Sequence, residues 1–211
     1  MRMRRKKNLE PRLAACADYL VTLNEALKGQ WFQRTGARPI SLEIGCGKGQ
    51  FITTLAAQNP DCFFVAVERV PSVLLLAVER AKAMNLGNLL FLHEDAEKLG
   101  EYFEKNEIET LYLNFSDPWP AKRHAKRRLS HGRQLAVYDS FLRPGGAVVL
   151  KTDNIDLFEF SQESVANFGY KLEEICYDLH ASGLENVQTE YEMLFSAQGL
   201  HICRLAARKP E

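Results

Sequence analysis

The chain has 211 residues, 46% of them hydrophobic and 26% charged, the balance of an ordinary soluble globular protein. Its 27 basic and 27 acidic side chains cancel to a formal net charge of zero, so it is not basic all over. No run reaches the ~18–20 apolar residues that a bilayer span needs, and the length suits one domain with a single good core.

The charge is uneven along the chain. Arg2, Arg4, Arg5, Lys6, Lys7 and Arg12 crowd the N-terminus, and residues 1–11 read as a basic, flexible arm. Asp18 interrupts Leu13–Leu23, which fails as the ~7–15-residue apolar stretch of a secretory signal. Arg12–Lys28 reads as one leading helix. From Pro39 to Lys151, short apolar runs alternate with helix-like segments. The runs are Ile40–Ile44, Phe63–Val67, Leu89–Leu92, Leu111–Phe115 and Ala147–Leu150. They are apolar almost throughout rather than at every second residue, as strands of a parallel sheet are when both faces are covered. The predicted helices are Gln50–Gln58, Pro71–Met84, Ala96–Glu104 and Arg133–Leu142, with Pro71 suited to a first turn and Gly87 to a helix end. Ile155–Phe168 adds another helix. Lys171–Leu179 and Leu200–Ala207 read as two strands of an antiparallel hairpin joined by a long excursion. Repeated βα units predict a Rossmann-like three-layer α/β sandwich with a mostly parallel sheet.

The five cysteines (Cys16, Cys46, Cys62, Cys176 and Cys203) are scattered and form no C-x-x-C pair, which suits reduced thiols in a cytoplasmic protein. None of the five histidines stands in a metal-ligand spacing, so no metal site is expected.

The most informative stretch is Glu43-Ile44-Gly45-Cys46-Gly47-Lys48-Gly49, where a buried strand meets three glycines at alternate positions and then a helix. Glycine tolerates positive φ and lets a ligand approach the backbone. Ligands of open α/β sheets sit beyond the C-terminal strand ends, where this loop falls. The spacing is neither the G-x-G-x-x-G of dinucleotide folds nor a P-loop. The next strand ends at Glu68, suited to ribose hydroxyls, and the third at Asp95, suited to an adenine amino group or to capping the segment after it. Three acids at three successive strand ends beside a glycine loop predict a nucleoside pocket.

The fourth strand runs into Ser116-Asp117-Pro118-Trp119-Pro120, stiffened by two prolines. Lys122-Arg123-His124-Ala125-Lys126-Arg127-Arg128 follows directly, and no acid intervenes between Asp117 and Asp139. A basic run beside a rigid loop reads as a phosphate-binding arm. Asp153 or Asn154 suits a helix cap, and Thr189-x-x-Glu192 fits a capping box.

Glu43–Phe51, the Asp-Pro-Trp-Pro loop with its basic extension, Lys151-Thr152-Asp153-Asn154 and Thr189-Glu190-Tyr191-Glu192 occur here in the order seen in the tRNA (guanine-N7-)-methyltransferase family, which the chain resembles from about Ile40 to Phe195. The resemblance implies a class I methyltransferase fold and transfer of a methyl group from S-adenosylmethionine to N7 of a variable-loop guanine in tRNA. It implies cofactor contacts from Glu43, Gly45, Gly47, Gly49, Glu68, Asp95 and Asp117, with Asp117 positioning the reactants. It further implies substrate contacts from Asp153 and Thr189–Glu192, and RNA contacts from the Arg123–Arg128 segment, which Lys122 adjoins. Ala121 departs from the family, which often has lysine there, and neighbouring Lys122 is the nearest substitute.

Guanine N7 carries a free lone pair, so the reaction needs orientation and exclusion of water rather than a general base. Carboxylates such as Asp153 or Glu192 would grip the base's N–H edge. Two other readings stand beside this one: a class I methyltransferase acting on an amino group, and a non-catalytic RNA-binding protein on the same fold. The sequence leaves monomer, homodimer and a partner subunit open.

Overall fold

The computed structural model describes residues 7–22 and 27–211. In chain order its elements are α1 (Leu9–Ala14), β1 (Leu20–Val21), α2 (Trp31–Arg34), β2 (Ile40–Ile44), α3 (Gln50–Gln58), β3 (Phe63–Val67), α4 (Pro71–Ala83), β4 (Leu89–Leu92), β5 (Ile108–Asn114), α5 (Gly132–Asp139), β6 (Leu142–Thr152), α6 (Ile155–Phe168), β7 (Lys171–Cys176), α7 (Glu190–Ser196) and β8 (Cys203–Arg208). The strands form one eight-stranded sheet in the order β1-β4-β3-β2-β5-β6-β8-β7. Among the described residues all pairings are parallel except those of β8, which runs antiparallel to both β6 and β7.

The apolar runs become the sheet because they have hydrophobic partners on both faces. In β3, Phe63, Val65 and Val67 join the core under α5 and α6, with Trp31, Tyr138 and Phe158. Phe64 and Ala66 point the other way, into a second core with Phe51 of α3 and Leu74 and Val78 of α4. These are the three layers. The order reverses between β2 and β5, whose C-terminal ends therefore diverge and open a crevice.

Two local expectations give way. The predicted helix Arg12–Lys28 is not one helix: α1 ends at Ala14, Ala17–Tyr19 is a 3-10 turn, and Leu20–Val21 pairs with Phe91 and Leu92 at the edge of β4. Residues 23–26 lie outside the described segments. An open strand edge recruits this apolar pair, and such tertiary pairing outweighs weak helix propensity. Helix α1 begins inside the segment read as an arm and is tied to α4 by Arg12, whose guanidinium donates to both oxygens of Glu79 at 2.8 and 2.6 Å; the arm's residues 1–6 are outside the described segments. Ala96–Glu104 is a 3-10 segment, Ala96–Glu101, rather than an α-helix, with Gly100 in its last turn. No described helix is long and apolar enough to cross a membrane.

Candidate active site

The glycine loop leaves β2 with φ of 79° at Gly45, 58° at Gly47 and 81° at Gly49, each in the region that favours glycine. The Gly45 and Cys46 amides donate to the Val67 carbonyl at 2.8 and 3.0 Å, which fastens the loop to the end of β3. A Cβ on Gly49 would lie 2.8 Å from the Cβ of Ala77, so this glycine lets α3 pack on α4. A Cβ on Gly45 or Gly47 would meet nothing within 4 Å, because both face an open cleft.

Glu43, Gly47, Phe51, Asn114, Phe115 and Tyr191 are among the residues lining that cleft. Glu43 is 2% exposed; its Oε1 accepts from Asn114 Nδ2 at 2.9 Å. Glu43 Oε2 and Asn114 Oδ1 are both buried and lack a donor. Burial pushes the Glu43 carboxyl up to about 7, against the pull of Asn114 and Lys151. Two orphaned acceptors on hydrogen-bonded residues that line the cleft suit a ligand that brings N–H donors.

Glu68, at the end of β3, turns back to the loop: Oε2 accepts from the Gly47 amide at 3.2 Å and Oε1 from the Val70 amide at 2.8 Å. Burial raises its pKa despite these donors. Asp95 is exposed and caps the 3-10 segment, accepting from the Glu97 amide at 3.2 Å. Asp117 is exposed, 3.8 Å from Arg69. Asp153 sits half-buried at the end of β6, and the next residue, Asn154, is the cap of α6, accepting from the Leu157 amide at 2.8 Å. Glu68, Asp95, Asp117 and Asp153 are at neighbouring strand ends rather than in the cleft lining itself.

After β5 the chain turns sharply, with φ of 49° at Phe115 and 43° at Trp119. Lys122–Arg127 forms a 3-10 turn beyond it, with none of its residues buried. Arg127 lies 4.8 Å over the Trp119 ring. Arg128 behaves differently from its neighbours. It is 9% exposed, donates to the carbonyls of Pro118 and Trp119 at 2.9 and 3.2 Å, and stacks 4.3 Å over Phe160. Its guanidinium holds the Asp-Pro-Trp-Pro loop in shape, so the exposed cations of the run are Lys122, Arg123, Lys126 and Arg127.

Helix α7 closes the other wall. The capping box is formed: Glu192 N donates to Thr189 Oγ1 at 2.9 Å, and Thr189 N to Glu192 Oε2 at 3.4 Å. Glu192 is fully buried. Its Oε2 also accepts from Lys151 Nζ at 2.6 Å, and its Oε1 from His180 Nε2 at 2.9 Å and from Asn186. Lys151, 3% exposed, donates further to Asn186 Oδ1 and the Val187 carbonyl and lies 4.9 Å over the Phe51 ring. Burial draws the Lys151 ammonium below its usual range, partly offset by Glu192. Burial pushes Glu192 the opposite way, yet Lys151, His180 and Asn186 prevail and hold its carboxyl low. With both oxygens engaged inside the protein, Glu192 anchors α7 to β6 instead of meeting a base edge. Glu190 is also committed, pairing with Lys48 of the glycine loop at 2.8 Å and with Arg80 of α4 at 3.7 Å. Tyr191 is 57% exposed at the mouth of the cleft.

Three members of this site escape a reading of the sequence. Asn114 carries a signal, a polar residue closing an apolar strand. Phe51 and Lys151 carry little, because their roles depend on partners far along the chain. Among the described residues, no cluster of three or more His, Cys, Asp or Glu side chains is arranged to hold a metal.

The fold is similar to that of solved methyltransferases. One is the 16S rRNA methyltransferase KamB (TM-score 0.65, 18% identity, covering 87% of this chain and 94% of that one). Another is an S-adenosylmethionine-dependent methyltransferase from Aquifex aeolicus (TM-score 0.58, 11% identity, covering 96% and 99%). The fold is thus the class I methyltransferase fold. A protein family described as putative methyltransferase matches residues 37–205. Proteins named tRNA (guanine-N(7)-)-methyltransferase are similar over nearly the full length: that of Lachnoclostridium phytofermentans is 48% identical over 193 residues, covering 90% of each chain. That of Geobacillus thermodenitrificans is 44% identical over 212 residues, covering 100% of this chain and 98% of its own. The chain belongs to the tRNA (guanine-N7-)-methyltransferase family.

Proposed function

We propose that this chain transfers the methyl group of S-adenosylmethionine to N7 of a guanine in the tRNA variable loop. The observation that carries the reading is the pair of orphaned acceptors, Glu43 Oε2 and Asn114 Oδ1, in the cleft beside the glycine loop. The α-ammonium of S-adenosylmethionine brings the donors they lack. The cofactor, when bound, supplies an electrophilic methyl group on a sulfonium. Glu43 and Asn114 hold its ammonium, Gly45 and Gly47 give it room at the backbone, Glu68 accepts from its ribose hydroxyls, and Asp95 accepts from its adenine amino group. Asp117, on the rigid loop, keeps the reactants in line, and Asp153 accepts from the N–H edge of the guanine.

No group has to remove a proton, because N7 already offers a lone pair. The protein's contribution is therefore placement and a dry, preorganised surround. Lys122, Arg123, Lys126 and Arg127 meet the RNA backbone by charge, and such contacts read shape more than sequence. A cytoplasmic enzyme is the corresponding setting, in keeping with five free thiols.

Methyl transfer from labelled S-adenosylmethionine to unmodified tRNA, followed by nucleoside analysis, tests the reading. Label in 7-methylguanosine is the expected result. Label in any other nucleoside rejects the target atom, and label in protein or small amines favours an amino-group methyltransferase.

A further inference from the structure

Phe115 and Tyr191 line the cleft and Phe195 packs against both, all three outside both core clusters. Phe115 follows β5, while Tyr191 and Phe195 stand four residues apart on α7, on one face of the helix. The Phe115 and Tyr191 rings are 6.5 Å apart at 28°, Tyr191 and Phe195 are 5.9 Å apart at 27°, and Phe115 and Phe195 are 6.0 Å apart. Tyr191 keeps most of its surface open despite these contacts. Phe115 holds a positive φ, which is uncommon outside glycine, and so stations a phenyl ring at the cleft wall at some conformational cost.

The geometry points to a stacking platform for the target base, with Tyr191 outermost and Phe115 and Phe195 behind it, which favours the base most strongly once it carries the methyl group. The inference rests on guanine N7 methylation as the reaction. Methyl transfer forms a bond between N7 and carbon from the N7 lone pair. It breaks the carbon–sulfur bond, whose electron pair stays on sulfur. The positive charge passes from sulfonium to purine, and no proton is released. A neutral guanine thus becomes a cationic 7-methylguanine. Aromatic faces attract cations through their quadrupole, and an interaction that strengthens towards the transition state raises the rate rather than merely the affinity. The carboxylates of α7 do not fill this role: Glu192 is sealed by Lys151 and His180, and Glu190 is paired with Lys48 and Arg80.

Tyr191→Leu removes the ring while keeping bulk, Tyr191→Phe keeps the ring, and Phe195→Leu probes the support and serves if the first variant does not fold. The first measurement is the single-turnover rate at saturating unmodified tRNA. Tyr191→Leu should fall by roughly 5- to 150-fold, the span of one missing base–aromatic stack, with Tyr191→Phe recovering most of the loss. The second measurement needs no turnover. Wild-type protein without cofactor should bind 7-methylguanosine-containing tRNA more tightly than unmodified tRNA, and Tyr191→Leu should lose that preference. If the wild type makes 7-methylguanosine while Tyr191→Leu keeps both the rate and the preference, the platform is overturned and the reaction stands. A normal saturated rate with weakened RNA binding would reduce the rings to a docking surface and overturn the charge argument. A wild-type product other than 7-methylguanosine overturns the reaction and this inference together.

Discussion

Glu43 and Glu68 end adjacent parallel strands, yet their surroundings give them different tasks. Glu43 is short of one donor, and its folded pKa of about 7 stands above the ordinary 4.5. A carboxyl raised in this way binds its proton more tightly in the folded state. Its effect on stability is therefore a loss as pH climbs from about 4.5 to about 7, on the order of 3 kcal/mol, with no further change above. Chemical unfolding at pH 5 and pH 8 should show that penalty in the wild type relative to Glu43→Gln, which does not titrate. S-adenosylmethionine affinity should rise over the same window, because an ammonium needs the ionised carboxylate; calorimetric titration giving a flat profile would remove Glu43 from the proposed ammonium site. Glu68 accepts one backbone amide on each oxygen, which leaves each oxygen able to accept again from the proposed ribose. Glu68→Ala should weaken cofactor binding by roughly 10- to 100-fold, as the removal of charge-assisted hydrogen bonds does, while RNA affinity in a filter-binding assay stays near wild type.

At the scale of elements, α7 is held by a side chain from the sheet. Removing one partner of the buried Lys151–Glu192 pair strands the other, a loss of about 3–5 kcal/mol. Lys151→Met and Glu192→Leu should each destabilise the protein by that order in denaturant unfolding, and the double variant by less than either alone. Additive losses would show that the pair is not the unit. The capping box is legible in the Thr189-x-x-Glu192 spacing, and so is the sheet from Ile40 to Leu150, because strands covered on both faces write continuous apolar runs. The anchoring of α7 is not legible: Lys151 and Glu192 stand 41 residues apart, and nothing local distinguishes a buried lysine from a strand-end one. Leu20–Val21 reads as helix for a related reason, since a two-residue strand carries no period of its own. Arg128 looks like one more cation in a basic run, and only its contacts with Pro118, Trp119 and Phe160 separate it from Arg127.

That distinction has a reading at the scale of the whole molecule, whose net charge of zero makes RNA binding depend on where the cations stand. Joint replacement of Arg123 and Arg127 by alanine should weaken tRNA binding and flatten the dependence of log affinity on log salt by ~0.7–0.9 for each phosphate no longer neutralised. Cofactor affinity should be unaffected. Arg128→Ala should instead lower the thermal midpoint, leaving the salt slope near wild type; an equal change in slope would return Arg128 to the RNA-binding set. The position of β8 sets a different constraint. It lies between β6 and β7 and, among the described residues, is the one strand that pairs with β7, although it follows every other strand in the sequence. Until residues 203–208 emerge, β7 lacks its strand partner in the sheet, although Lys151 can already hold Glu192 of α7. The parallel part of the sheet can assemble before β8 is made, but β7 joins it only through β8, so a ribosome-bound chain stalled before Cys203 should already hold its glycine loop in place while residues 171–176 stay open to protease.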